Sequence, residues 1–97
     1  MREPICDWND NKAARNLRKH GVSFEVAQCV FDDVNRLEDL DDEHSIHEYR
    51  FRVIGNVQGV FLTVIYTERG DDDQPINWMI SARRSTSEEV NSYYADR

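Results

Sequence analysis

The sequence predicts an α+β domain: an antiparallel sheet of four to five strands, with two helices before most of the strands and one after them. Three observations predict it. Residues 11–31 repeat their apolar side chains at helical spacing, residues 49–82 hold close-set β-branched runs separated by turn signals, and Thr86 and Glu89 have capping-box spacing near the end. At 97 residues the chain is expected to form one domain, spanning residues 1–97, with a single modest core.

In chain order, Ile5 to Trp8 reads as a short first strand, and Asn9 or Asp10 then caps a helix. Lys12, Arg15 and Lys19 recur at i, i+3 and i+7, so they form a basic stripe on one face of that helix. Ala13, Ala14 and Leu17 mark the face expected to be buried. Gly21 ends the helix, because glycine accepts the left-handed conformation that closes it, and Lys19 and His20 suit the negative end of its dipole. Ser23 caps a second helix whose Ala27, Val30 and Phe31 face inward. Cys29 beside them is expected to be a small buried side chain, and Cys6 and Cys29 lack metal-type spacing.

Val34 to Leu40 reads as an edge strand, and DDEHSIHE as a solvated loop. His44 and His47 match no specific metal motif, so no metal or other cofactor is expected there. Tyr49 to Ile54 alternates as a half-buried strand, Asn56 to Gly59 is a turn, and Val60 to Thr67 is apolar enough for the sheet centre. Gly70 to Pro75 turns again, and Ile76 to Ala82 returns as a strand. Strands this close in sequence favour an antiparallel meander, since a parallel pair needs a crossover of about a dozen residues or more. Val90, Tyr93 and Tyr94 give the final helix an apolar face.

The net charge of −7 by itself disfavours a polyanionic partner, but it is concentrated. Residues 32–48 hold eight of the 19 acidic residues and only Arg36 of the 12 basic ones, so the rest of the chain is neutral, with 11 of each. A local basic surface is therefore open to it. No apolar run approaches the roughly 20 residues that span a bilayer, and MREPICDWND lacks the apolar stretch of a signal peptide. The expectation is a cytoplasmic protein with no membrane partner.

Three constellations could carry chemistry: Arg18, Lys19 and His20 at the first helix corner, Glu68 and Arg69 after the central strand, and Arg83 and Arg84 after the last. Histidine titrates near neutrality, glutamate can take a proton, and the arginine fork matches phosphate oxygens. Together they suit metal-free cleavage of RNA, which supplies its own 2′-hydroxyl nucleophile. The same residues also have purely structural readings: His20 as a helix-terminal cation, Glu68 and Arg69 as an exposed pair, Arg83 and Arg84 as partners of the acidic segment. Trp8, Trp78, Tyr93 and Tyr94 could stack on bases or pack in the core.

The stretches DWNDNKAARNLRKHGVSFEVAQCVFDD, VIYTERG and ISARRSTSEE resemble the BrnT family of bacterial type II toxins over nearly the whole chain. The resemblance implies a RelE-like fold and a ribonuclease that blocks translation. It also implies neutralisation by a BrnA-type ribbon-helix-helix antitoxin, through which DNA is contacted only indirectly. On the family's motifs, Lys19 and His20 fall on KHG, Glu68 and Arg69 on TERG, and Arg83 on ISAR. The catalytic set implied is His20, Glu68, Arg69 and Arg83, with Lys12, Arg15, Lys19 and Arg84 as RNA contacts. Two departures remove positive charge: Trp78 stands where the family usually has arginine, and the last helix reads SEEVNSYYADR. These departures keep a second reading open, a catalytically silent member acting only as a binding module in a repressor complex.

Overall fold

A computed structural model describes residues 2–95. Its elements are β1 (Ile5–Asp7), α1 (Asp10–His20), α2 (Phe24–Ala27), β2 (Leu37–Leu40), β3 (Arg50–Val57), β4 (Val60–Gly70), β5 (Pro75–Arg84) and α3 (Ser87–Ala95). Single 3₁₀ turns occupy Gln28–Asp32 and Asp42–His44. The strands form one five-stranded sheet in the order β1-β5-β4-β3-β2. The mixed α+β class follows, with two helices before the main strands and one after.

The sheet is not wholly antiparallel. β2 through β5 form the expected meander, but β1 pairs parallel to β5, with Ile5 opposite Ile76 and Asp7 opposite Trp78. The crossover rule that excluded parallel pairs applies to consecutive strands; β1 and β5 are separated by nearly the whole chain, so nothing forbids their pairing. Observed limits also differ where turns compete, and the edge strand starts only at Leu37, leaving Val34 exposed.

Local signals were obeyed closely. The Asn9 side chain accepts from Lys12 N at 3.1 Å, and Gly21 closes α1 at φ 70°. Ser23 Oγ accepts from Val26 N at 3.2 Å. The β3–β4 hairpin turns on Gln58 and Gly59, both at positive φ (52° and 90°), the primed geometry that matches strand twist.

Helical periodicity misjudged two faces. After Ala27 the chain tightens into the 3₁₀ turn, where three residues per turn align Ala27 with Val30 on the core side. Cys29 is thereby turned out and is exposed, not buried as expected. Val30 seats against Gly55 of β3 so tightly that a Cβ there would lie 2.9 Å from the Val30 Cβ and carbonyl oxygen. On α1, Leu17 is 50% exposed and Ala14 is exposed, while Asn16 is the buried residue at 7%.

Asn16 explains how α1 attaches. β1 covers β5 only over residues 76–78, so the backbone edge at Ala82 is left open. The Asn16 carboxamide closes it as a neighbouring strand would, accepting from Ala82 N at 3.1 Å and donating to Ala82 O at 2.8 Å. Its second N–H reaches Val22 O at 3.0 Å and ties down the turn after the helix.

One sheet face carries the main core, in which Val53, Val64, Tyr66, Met79 and Ala82 pack against Val22, Phe24, Ala27 and Val30. α3 lies on the other face, since its contacts Thr63 and Arg83 alternate with Val64 and Ala82. It covers one corner only, where Tyr93 packs edge-on against Phe61 at 5.0 Å and donates to Asp33 Oδ2 at 2.7 Å.

Asn16→Ala is expected to cost roughly 2–4 kcal/mol, because it strands buried backbone groups at Ala82 and Val22. Asn16→Asp should cost at least as much, since a carboxylate turns lone pairs toward two carbonyls. Urea unfolding at pH 7 reads both, and a loss under about 0.5 kcal/mol for either contradicts this attachment.

Candidate active site

The corner left uncovered by α3 is a cleft of about 470 Å³ on the second sheet face. Its floor is Ile65, Ile80 and Ser81, and its walls are the Asp41–His44 turn, Arg50 and Arg52 of β3, Arg83 of β5 and Glu89 of α3. The floor is shaped by a bulge: Ile65 pairs with Ser81 and Tyr66 with Met79, leaving Ile80 unpaired. Such an inserted residue bends a strand and re-aims its side chains. Ile80 and Ser81 also line a second hollow along the β5 edge, whose other walls are Lys12, Arg15, Asn16, Lys19 and His20. The basic stripe of α1 and the arginines of the sheet thus flank one shared strip of β5.

Glu89 organises the cleft from below. It is 7% exposed and accepts from Arg83 Nη1 at 2.6 Å, Arg83 Nη2 at 2.9 Å, Thr63 Oγ1 at 3.1 Å and Thr86 N at 2.9 Å. Thr86 Oγ1 accepts in return from Glu89 N at 3.2 Å, so the capping box anticipated from spacing is formed and its glutamate also serves the sheet. Burial alone pushes the Glu89 carboxyl up, but the Arg83 fork, the Thr86 N–H and the Thr63 hydroxyl outweigh it and hold the group at about 2. The hydrogen bond to Glu89 raises Arg83 in turn. Arg52 is raised first by its hydrogen bonding to Asp39, at 3.0 and 2.7 Å, and its Nη1 lies 3.6 Å from Glu89.

Arg50 differs from these two. Its Nε is buried without a hydrogen-bond partner, and it makes no ion pair among the described residues. Above it, His44 Nδ1 lies 2.9 Å from Asp41 Oδ2. Ser45 holds this turn to β3: its hydroxyl donates to Asp41 O at 2.7 Å and accepts from Arg50 N at 2.9 Å. Asp41 N adds a bond to Arg50 O at 2.7 Å. The segment read from sequence as a solvated loop is therefore pinned at the cleft mouth. Spacing gave no sign of this beyond an aspartate three residues before a histidine.

The residues expected to act together are divided. Arg83 lines the cleft, and His20 lines the adjoining hollow. Arg69 lies six residues along β4 from Thr63, the partner of Arg83, or about 20 Å at strand rise. There its guanidinium sits 4.6 Å over the Trp78 ring and 3.7 Å from Glu48. Arg69 thus brings a cation to the strand position next to Trp78 and occupies one face of that ring. Glu68 alternates with Thr67 and Arg69 and so belongs to the helix-covered side. Arg84 likewise points away from Arg83, toward a groove lined by Leu17, Val26 and Val60. Trp8 and Tyr93 are packing residues, Trp8 lying 5.8 Å from Phe24. Burial pushes the Cys6 thiol up to about 11, which leaves it unreactive.

The molecule is thus a small α+β domain with an open sheet face, arginines fixed on that face and a basic helix at its edge, a chemistry able to pair with anions. The profile of one family, the ribonuclease toxin BrnT of type II toxin-antitoxin systems, matches residues 8–89. The chain belongs to that family. Membership carries with it an antitoxin partner. No curated protein gives a significant match to the chain. No helix among the described residues is long and apolar enough to cross a membrane.

Glu89→Gln tests the electrostatic account. The folded value near 2 lies below the ordinary 4.5, so the ionised group stabilises the fold fully above pH 4.5 and that contribution fades as pH falls toward 2. The variant is expected to lose roughly 3 kcal/mol at pH 7 and to show a shallower acid limb between those values. An unchanged acid limb contradicts it.

Proposed function

We propose that this protein is a metal-independent endoribonuclease that cleaves RNA on the open face of its sheet and so inhibits translation. A BrnA-type ribbon-helix-helix antitoxin neutralises it, and DNA is contacted only through that partner. The fold is read as RelE-like. The observation that carries the proposal is the cleft itself, where Arg50, Arg52 and Arg83 surround an apolar floor that runs on to Lys12, Arg15, Lys19 and His20. A scissile phosphate fits between arginines whose planes are already fixed by Asp39 and Glu89, and the flanking chain follows the α1 stripe.

The reaction suited to such a site is transesterification. The ribose 2′-oxygen loses its proton and attacks phosphorus, the bond from phosphorus to the 5′-oxygen breaks, and that oxygen is protonated. Arginine forks stabilise the charge that builds on the phosphorane. Arg83 is the phosphate contact retained from the family motifs, and His20 stands beside the path at the hollow. Arg69 lies further along the open face, where the chain that flanks the cut would pass, while Glu68 faces the helix-covered side and takes no part.

A second reading has an observation of its own. Arg52 and Arg83 are already neutralised by Asp39 and Glu89, and α3 contributes no basic side chain. A silent member that only joins its antitoxin in repression would tolerate this.

Purified protein incubated with bulk RNA in excess chelator is expected to cleave it. Cleavage that appears only when a divalent metal is restored contradicts the mechanism, and none under any condition favours the silent module. For the antitoxin, charge reversal at Arg15 and Lys19 should slow association about tenfold at low salt and flatten its salt dependence. Reversal at exposed Asp72 should do neither. Association rates across a salt series decide it, and equal effects of the two variants contradict the placement of the antitoxin on the basic edge.

A further inference from the structure

Resting on the ribonuclease reading, we propose that His44, oriented by Asp41, is the proton-accepting group of the cleft and that Arg50 is its phosphate-binding cation. Four observations converge on these residues. His44, Asp41 and Arg50 all line the same cleft as Arg52 and Arg83. The His44 and Asp41 side chains meet at 2.9 Å. The Ser45 hydroxyl and the Asp41 N–H clamp the turn to the backbone of Arg50 itself. Arg50, unlike its neighbours Arg52 and Arg83, has a buried Nε with no hydrogen-bond partner among the described residues.

Each observation has a chemical consequence. A carboxylate only accepts hydrogen bonds, so Asp41 fixes the proton of neutral His44 on Nδ1 and leaves the lone pair of Nε2 free. That is the tautomer a general base needs, and the ring is held by a partner on a braced turn. Arg52 and Arg83 are ion-paired before any ligand arrives, whereas Arg50 has no carboxylate partner among the described residues, so its charge is the one left to meet an incoming phosphate. Asp41 is the charged group in contact with the imidazole, and Asp39, Glu43, Arg50, Arg52, Arg83 and Glu89 line the same cleft. In the reaction, Nε2 takes the proton of the ribose 2′-hydroxyl, and the 2′-oxygen forms its bond to phosphorus as the bond to the 5′-oxygen breaks. The leaving oxygen takes a proton from solvent water, and the imidazolium returns its proton to solvent.

The test compares the full-length protein with His44→Gln, Asp41→Asn, Arg50→Ala and His47→Gln on one RNA oligonucleotide, with folding checked for each. His44→Gln is expected to lower kcat about 100-fold or more with KM nearly unchanged, and imidazole added to His44→Gly should restore part of the rate. Arg50→Ala should raise KM and lower kcat, and Arg50→Lys should recover little. Asp41→Asn should lower kcat and move the His44 ring nitrogens, read by ¹⁵N NMR, from one tautomer to a mixture. His47→Gln should behave as the parent protein. A parent enzyme that cuts RNA while His44→Gln cuts equally well overturns this assignment and leaves the ribonuclease reading standing. A parent protein that cuts no RNA overturns both.

Discussion

The buried Glu89 carboxylate is the constraint on which the rest of the second sheet face depends. It caps α3 through Thr86, fixes Arg83 by two charge-assisted hydrogen bonds, accepts from Thr63 on the central strand and lies within ionic reach of Arg52. One carboxylate therefore sets where α3 sits, how far it extends over the sheet and how two arginines are aimed. Its burial is favourable only because these partners outweigh the loss of hydration. Loss of any one of them would leave a charge at 7% exposure poorly compensated. The cleft exists because the helix that Glu89 anchors covers one corner and no more.

The second organising feature is the open edge of β5. A full-length neighbouring strand would have covered residues 79–84, but β1 stops at Asp7 and Asn16 takes over the pairing. A helix fixed through a side-chain carboxamide stands at the sheet edge instead of over its centre. Its exposed Lys12, Arg15 and Lys19 then border Ile80 and Ser81. This resolves the apparent conflict between an acidic chain and an anionic ligand: the stripe lies along the edge, and the acids of residues 39–41 are drawn into pairs with Arg52 and His44.

What was legible in the sequence was what is decided locally. The caps at Asn9, Ser23 and Thr86, the glycine stop at Gly21 and the hairpin at residues 56–59 each depend on a few adjacent residues, and each was readable. Asn16 was not, because its partner Ala82 is 66 positions away and nothing in helical periodicity marks a polar residue as buried. The parallel pairing of β1 was hidden for the same reason. Cys29 was misjudged because a 3₁₀ turn replaced an α-helical one. Within the candidate site, Arg83 was singled out by motif and the basic stripe by helical spacing, yet strand alternation put Glu68 on the other face, and no spacing rule revealed that Ser45 fastens His44 over Arg50.

The central claim is that the open sheet face, and not the helix-covered one, receives RNA. The most direct measurement is an NMR titration with an oligonucleotide whose 2′-hydroxyls are replaced by hydrogen, so that it binds without being cut. Following the arginine Nε–H signals and the backbone amides, the account predicts shifts at Arg50, Arg52, Arg83, Ser81 and the α1 stripe, with Arg84 and Glu68 unmoved. Shifts confined to Arg84, Leu17 and Val26, with the cleft silent, would contradict it.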